Sequence, residues 1–132
     1  MIGADTNVLL RLVVDDDAAQ HEQAKQFFAA RSANDPAHIS LIVVAEFSWA
    51  LRRLYAYDRD QIADVVLALL QSPDLIVERR DLVEEAAQLS RQPKVGLADT
   101  LIARLAVADG CRSVVTFDKD AAKRIPGMEL LA

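Results

Sequence analysis

A chain of 132 residues, 52% of them hydrophobic, has the size and apolar content of one domain with one core, and we expect a single domain over residues 1–132. Its net charge of −5 excludes a broad basic surface that would hold nucleic acid by phosphate neutralisation alone. No apolar run approaches the roughly 18 residues of a membrane span, and the first residues lack the pattern of a secretory signal, so we expect a cytoplasmic protein.

Short apolar runs alternate with helical patterns along the whole chain. In chain order, they predict a strand at 2–5, helices at 8–14 and 15–31, a strand at 38–40, helices at 41–55 and from 58 or 60 to 72, a strand at 75–77, helices at 81–92 and 97–109, a strand at 112–117, a short helix, and a strand at 128–131. This alternation is typical of a parallel sheet covered by helices on both faces. It predicts a three-layer α/β domain with a parallel sheet of four to five strands.

Two acidic residues follow predicted strands. Asp5 comes directly after the first strand, and Asp118 follows the strand at 112–117. In parallel α/β sheets, functional groups gather outside the carboxyl ends of the strands. We therefore expect both carboxylates at the edge of the sheet where a site would form.

Two further acids have apolar neighbours on their predicted helices. The helical neighbours of Glu46 are Ile42, Val43, Trp49 and Ala50, and those of Asp99 are Ile102, Ala103 and Ala106. This pattern places both acids on stripes that we expect to face the core. Burying one unpaired carboxylate costs several kcal/mol, so acids at such positions require partners or a cation. A shared acidic pocket would be one common cause.

Separate local roles are the alternative to a shared pocket. Asp99 could cap its helix, and Glu46 could pair with Arg52 or Arg53. Asp5 and Asp118 could then be ordinary turn residues, and the sequence pattern leaves both interpretations open.

A cluster of three or four carboxylates has a definite chemistry. Oxygen ligands are hard, and they suit Mg²⁺ or Mn²⁺ with waters and substrate phosphate in the remaining positions. Such an ion can activate a water and stabilise the charge of an attacked phosphate. It would also supply the positive charge that an acidic nucleic-acid-binding protein lacks.

Four stretches of the sequence form a specific combination: ADTNVLLRLVVDD, LIVVAEFSWALRR, GLADTLIARLA and VVTFDKDAAKRIPGMELL. In order and spacing they resemble the PIN-domain nucleases, and specifically the VapC toxins of bacterial toxin–antitoxin pairs. The resemblance covers essentially the whole chain and implies a three-layer PIN-like fold. It also implies metal-dependent cleavage of single-stranded RNA, dimerisation, and inhibition by a cognate antitoxin.

The resemblance further implies which residues form the site. The implied metal site with Mg²⁺ or Mn²⁺ consists of four carboxylates, supported by three hydroxyl or amide side chains: Asp5, Glu46, Asp99 and Asp118, with Thr6, Asn7 and Thr116. One position departs from the family pattern. Many relatives have an aromatic residue where this chain has Ala121, which leaves the role of Asp120 open.

The roles of these residues differ. We expect Asp5, Asp99 and Asp118 to be metal ligands. Glu46 is expected to be a ligand or the group that positions the attacking water. Three residues have plainer alternative roles, as helix cap, strand residue or local hydrogen-bonding group: Thr6, Thr116 and Asn7.

Other side chains could contact RNA or serve the fold. Aromatic residues at helical spacing favour the core or a dimer interface over base stacking; they are Trp49, Phe27 and Phe28. Three arginines could touch RNA phosphates, or they could be solvated surface charges: Arg11, Arg52 and Arg53.

Two other functions compete with the nuclease. A receiver-type phosphoacceptor domain is also a parallel α/β unit with Mg²⁺ and with Asp residues at strand ends. It requires an acidic pair after the first strand, whereas DTN supplies one acid. Only Lys119 could serve as its lysine. The second competitor is a catalytically silent binding module on the same fold.

Overall fold

The structure, a computed structural model, describes residues 1–131. Its helices are α1 (Thr6–Val13), α2 (Ala18–Ala29), α3 (Leu41–Leu54), α4 (Arg59–Gln71), α5 (Arg80–Leu89), α6 (Leu97–Ala108) and α7 (Lys119–Arg124). Its strands are β1 (Ile2–Gly3), β2 (Ala37–Ile39), β3 (Leu75–Val77), β4 (Val114–Thr116) and β5 (Met128–Leu130). Each predicted element is therefore present, and the α/β prediction is confirmed.

The strands form two parallel sheets. β1, β2 and β3 pair in that order, with Ala37 opposite both Ile2 and Leu75. β4 pairs only with β5, where Val114 lies opposite Met128. The parallel arrangement is as predicted, but the prediction of one sheet of four to five strands is wrong. Strands of two or three residues form few ladder hydrogen bonds, and within residues 1–131 none of these bonds joins the two sheets.

Side-chain caps fix where most of the helices begin. The Asp58 carboxylate accepts a hydrogen bond from the backbone N–H of Gln61, and the Gln61 side chain accepts one from the Asp58 N–H, which forms a capping box for α4. Ser40 caps α3 in a similar way through the N–H of Val43. Helix α1 begins two residues before its predicted start because Asp5 caps it.

The core lies between the three-stranded sheet and the helices that cover it. Its fully buried side chains include Leu9 of α1, Ile39 of β2, Phe47 and Leu51 of α3, and Val83 of α5. Burying one such side chain stabilises the fold by about 1.5–3 kcal/mol. This packing holds α1 and α3 next to each other at the end of the sheet where β1 and β2 finish.

Helix α3 is apolar on two faces. Phe47 and Leu51 form the face in the core, whereas Ile42 and Trp49 on the other face are 72% and 56% exposed. On α6, Ile102 is 53% exposed. The expectation that the neighbours of the acids face the core is therefore wrong for these three, because periodicity cannot distinguish two apolar stripes on one helix. It is confirmed for the buried neighbours Val43, Ala50 and Ala103.

Among residues 1–131, none of the helices combines the length and the apolar character that a membrane span requires.

Candidate functional site

Asp5 lies at the junction of β1 and α1. Its Oδ1 accepts a hydrogen bond of 3.1 Å from the backbone N–H of Val8 and so caps α1. The residue is exposed. Asp5 is thus a helix cap and not an ordinary turn residue, and the cap holds its carboxylate at the carboxyl end of β1.

Glu46 is held by a residue from another helix. The hydroxyl of Thr6, the first residue of α1, donates a hydrogen bond of 2.7 Å to Oε1 of Glu46 on α3. Within the part of the chain that the structure describes, Glu46 forms no ion pair with Arg52 or Arg53, so the salt-bridge alternative is wrong. Thr6 therefore has a specific contact with a predicted site residue in addition to its place at the helix start.

A cleft of about 740 Å³ collects several of the predicted residues. We call it the carboxylate cleft; its walls include Asp5, Thr6, Asn7, Glu46, Trp49 and Ala98. The walls come from α1, α3 and the start of α6, which are distant in the sequence and adjacent in the fold. The structure thus brings together two of the predicted carboxylates and two of the predicted supporting residues.

Asp99 occupies the third position of α6. The helix begins after Gly96, which has no side chain to cap it, and a Cβ at Gly96 would lie only 3.3 Å from Oδ2 of Asp99. The Asp99 residue as a whole is exposed, yet its carboxyl group folds back over Gly96. Burial raises the pKa of Asp99, the charge of Asp118 raises it further, and Arg59 opposes both effects.

Asp118 follows β4 and caps α7. Its Oδ1 accepts a hydrogen bond of 3.0 Å from the N–H of Ala121. Its own N–H donates to Oγ1 of Thr116 over 3.0 Å, so Thr116 fixes the backbone that carries Asp118. Ala121 is buried, and Asp120 lies 3.9 Å from Lys94, which gives Asp120 an ion-pair partner of its own.

A second cleft, of about 430 Å³, adjoins the first and shares Trp49 and Ala98 with it. We call it the arginine cleft; it is lined by Trp49, Arg52, Arg53, Arg59, Gly96 and Asp99, among others. Sequence reasoning missed Arg59 and Gly96. Arg59 could have been recognised because it follows the helix cap Asp58, at a position where the helix dipole disfavours positive charge.

The predicted residues fit a divalent metal in their chemistry and only partly in their geometry. All four carboxylates offer the hard oxygen ligands that Mg²⁺ and Mn²⁺ prefer. Burial is the main cause of the raised pKa of Asp99, and the charge of Asp118 is the second, so these two carboxylates lie within electrostatic reach of each other. However, residues 1–131 contain no group of three or more His, Cys, Asp or Glu side chains placed closely enough to hold a metal ion.

Residues 3–127 match one protein family, the PIN domain. This range contains every residue of the predicted site, from Asp5 to Asp118. Among curated proteins, no sequence is significantly similar to this chain.

Proposed function

The chain belongs to the PIN-domain family, and we propose that it is a metal-dependent endoribonuclease that cleaves single-stranded RNA. PIN domains have a nuclease-type fold and are typically hydrolases of phosphodiester bonds. The observation that carries the proposal is the carboxylate cleft, in which Asp5 and Glu46 from separate helices share one opening with Thr6 and Asn7. The adjoining cleft adds Asp99.

PIN domains generally use divalent metal ions. We propose that Mg²⁺ or Mn²⁺ is held here by Asp5, Glu46, Asp99 and Asp118. When bound, such an ion would activate a water and stabilise the charge of the attacked phosphate. Supporting this proposal are the oxygen-only ligand set and the charge of Asp118, which after burial is the second cause of the raised pKa of Asp99 and which a nearby cation would offset.

The chain's own residues orient the carboxylates before a substrate arrives. The hydroxyl of Thr6 holds Glu46 in place. Glu46 would act either as a metal ligand or as the group that positions the attacking water. Backbone N–H groups hold one oxygen each of Asp5 and Asp118. Preorganised groups of this kind contribute to catalysis because they need no rearrangement during the reaction.

The biological role that we propose is that of the toxin in a toxin–antitoxin pair, acting in the cytoplasm. It is supported by the resemblance of the ADTNV, VVAEF, ADTLIA and TFDKD stretches to VapC toxins. The antitoxin would inhibit by placing an Arg or Lys among the carboxylates, where it would mimic the charge of the metal.

We also propose a homodimer. Several large apolar side chains remain exposed on one protomer, and a two-fold self-contact would cover part of them. The most exposed include Ile42 at 72% and Phe117 at 80%. Light scattering that shows a monomer at micromolar concentration would contradict this proposal.

Family membership argues against the receiver-type alternative and leaves the catalytically silent PIN-fold module as the competitor. The deciding experiment incubates the purified protein with a mixed RNA pool, with EDTA and with Mn²⁺. We expect cleavage only with the metal, and its loss in Asp5→Asn. The matched control is Asp15→Asn, an exposed acid in the loop after α1. A protein that cuts no RNA under any of these conditions would be the silent module.

A further inference from the structure

The arginine cleft concentrates positive charge that forms no salt bridge within residues 1–131. Of the 15 Lys and Arg residues, nine form ion pairs with acidic groups within residues 1–131. The three arginines of the cleft form none there; they are Arg52, Arg53 and Arg59. In a protein with a net charge of −5, carboxylates are available to pair with them. Three arginines that line one cleft without salt bridges form a site suited to an anion from outside the chain.

Arg59 is placed against the electrostatics of its own helix. It occupies the first position of α4, where the helix dipole disfavours a positive charge. Helix α6, which also borders the cleft, presents its N-terminus there and has no side-chain cap at Gly96. Both features make the cleft more electropositive. The charge of Arg59 acts on Asp99 in the same cleft, but within residues 1–131 Arg59 forms no salt bridge that would occupy its guanidinium group.

Trp49 links this positive cleft to the carboxylates. It lies on α3 between Glu46, three residues before it, and Arg52, three residues after it, so all three share one face of the helix. Trp49 is 56% exposed and lines both clefts. Exposed aromatic rings next to basic groups are the usual elements of single-strand binding, because bases stack on the ring while arginines hold the phosphates.

We propose that the arginine cleft binds the phosphates of single-stranded RNA beside the cleavage site, with a base stacked on Trp49. This inference rests on the proposed ribonuclease function and adds to it a substrate-binding subsite. The strand would run from the carboxylates, past Trp49, to the cleft arginines. The sequence left open whether Arg52 and Arg53 contact RNA phosphates or are solvated surface charges. We assign them, together with Arg59, to phosphate contact.

Binding is measured in EDTA, so that it does not depend on cleavage. The probe is a short fluorescein-labelled single-stranded RNA of mixed sequence, followed by fluorescence anisotropy. We expect the variant Arg52→Gln/Arg53→Gln/Arg59→Gln to raise Kd at least about tenfold and to lower the salt slope of log Kd by about 2, since each phosphate contact on a single strand contributes about 0.7. The control is Lys25→Gln/Arg112→Gln/Lys123→Gln, which removes the same charge from exposed sites outside the cleft.

Trp49 provides an independent readout, because it is the only tryptophan in the chain. RNA binding should quench its fluorescence, and Trp49→Ala should raise Kd by roughly 5- to 150-fold, the range that loss of one stacked base predicts. Trp49→Phe, which keeps an aromatic ring, should lose less affinity.

Several outcomes would overturn the inference. The cleft variant and the control variant could weaken RNA binding equally, or neither could weaken it. The fluorescence of Trp49 could stay unchanged during RNA binding, or the wild type could bind no RNA up to about 10⁻⁴ M. Binding of an acidic peptide to the cleft with no binding of RNA would assign the site to a protein partner instead. Failure of the nuclease proposal is distinguishable, because it would appear as normal cleft-dependent binding without cleavage in Mn²⁺.

Discussion

The hydroxyl group of Thr6 donates a hydrogen bond of 2.7 Å to Oε1 of Glu46, and it does so between two helices whose residues lie 40 positions apart in the sequence. Thr6 is the first residue of α1, directly after the cap Asp5. Asp5 and Thr6 therefore begin the helix together. The cap holds the carboxylate of Asp5, and the Thr6 hydroxyl orients the carboxylate of Glu46 on α3. The start of α1 therefore also determines how the carboxylates of the cleft are arranged.

The first prediction follows from this contact. Thr6→Val keeps the shape of the side chain but removes the donor, so Glu46 loses its only side-chain partner within residues 1–131. We expect the cleavage rate to fall about tenfold, because a hydrogen bond to a charged group contributes about 1.5–3 kcal/mol at most and this one is exposed. The free energy of unfolding should change by less than about 1 kcal/mol, as at other surface positions.

Thr6→Ser is the matched control for this change. It keeps the hydroxyl and should keep most of the activity. If Thr6→Val cleaves RNA as fast as the wild type, Thr6 is only a helix-start residue and Glu46 needs no such support.

The second prediction concerns Gly96. A side chain here would place its Cβ 3.3 Å from Oδ2 of Asp99, so the carboxylate would have to move by a few tenths of an ångström. Gly96→Ser adds an N-cap hydroxyl to α6, which should raise the free energy of unfolding by a few tenths of a kcal/mol. Activity should nevertheless fall, because the Asp99 carboxylate is displaced. Stability and activity should thus change in opposite directions.

Two further glycine variants make this test specific. Gly96→Ala should lower activity without the gain in stability, since alanine is a poor cap. Gly3→Ala serves as the control because a Cβ there would have no neighbour within 4 Å. Full activity in both Gly96 variants would mean that the position of the Asp99 carboxylate does not matter for cleavage.

The local parts of the fold were predictable from the sequence, and the long-range parts were not. Asp58 and Pro73 bracket α4 because caps and breaks act within a few residues. The division into two sheets depends on which strands pair, and short apolar runs carry no such information. Similarly, the exposure of Ile42 and Trp49 depends on which of two apolar faces of α3 meets the sheet.

The candidate site likewise has local features that the sequence predicted and long-range contacts that it did not. Asp5 and Asp118 could be placed at strand ends from local pattern alone, and each indeed follows a strand as a helix cap. The Thr6–Glu46 contact and the position of Arg59 next to Asp99 arise from packing between distant segments. No local pattern encodes them, so both appear only in the folded chain.

The third prediction concerns stabilisation by metal. If the four carboxylates hold Mn²⁺, the ion should raise the free energy of unfolding by about 1.4 kcal/mol at ten times its Kd, provided it does not bind the unfolded chain. Asp99→Asn should shrink this gain, and Asp15→Asn should leave it unchanged. Melting curves with EDTA and with Mn²⁺ measure the effect. An equal metal response in the wild type and Asp99→Asn would remove Asp99 from the proposed ligands.

The last prediction concerns the pH dependence of the metal-free protein. Burial and, second, the charge of Asp118 raise the pKa of Asp99 above its unfolded value. The folded state then holds this proton more tightly than the unfolded state, so ionised Asp99 lowers stability near neutral pH. The penalty is relieved as the pH falls through the raised pKa. Asp99→Asn has no ionisable group here, so it should be more stable than the wild type at pH 7, and this advantage should shrink as the pH is lowered.

The measurement is the free energy of unfolding in EDTA from neutral to acidic pH, for the wild type, Asp99→Asn and the control Asp15→Asn. A carboxyl NMR titration of Asp99 gives the pKa directly. Arg59→Gln should move that titration to higher pH, because Arg59 is the group that lowers the pKa of Asp99. An advantage of Asp99→Asn that stays constant or grows as the pH falls would mean that the Asp99 pKa is not raised. In that case the negative charge around Asp99 is already compensated within the fold, and the electrostatic support for a cation beside Asp99 and Asp118 is lost.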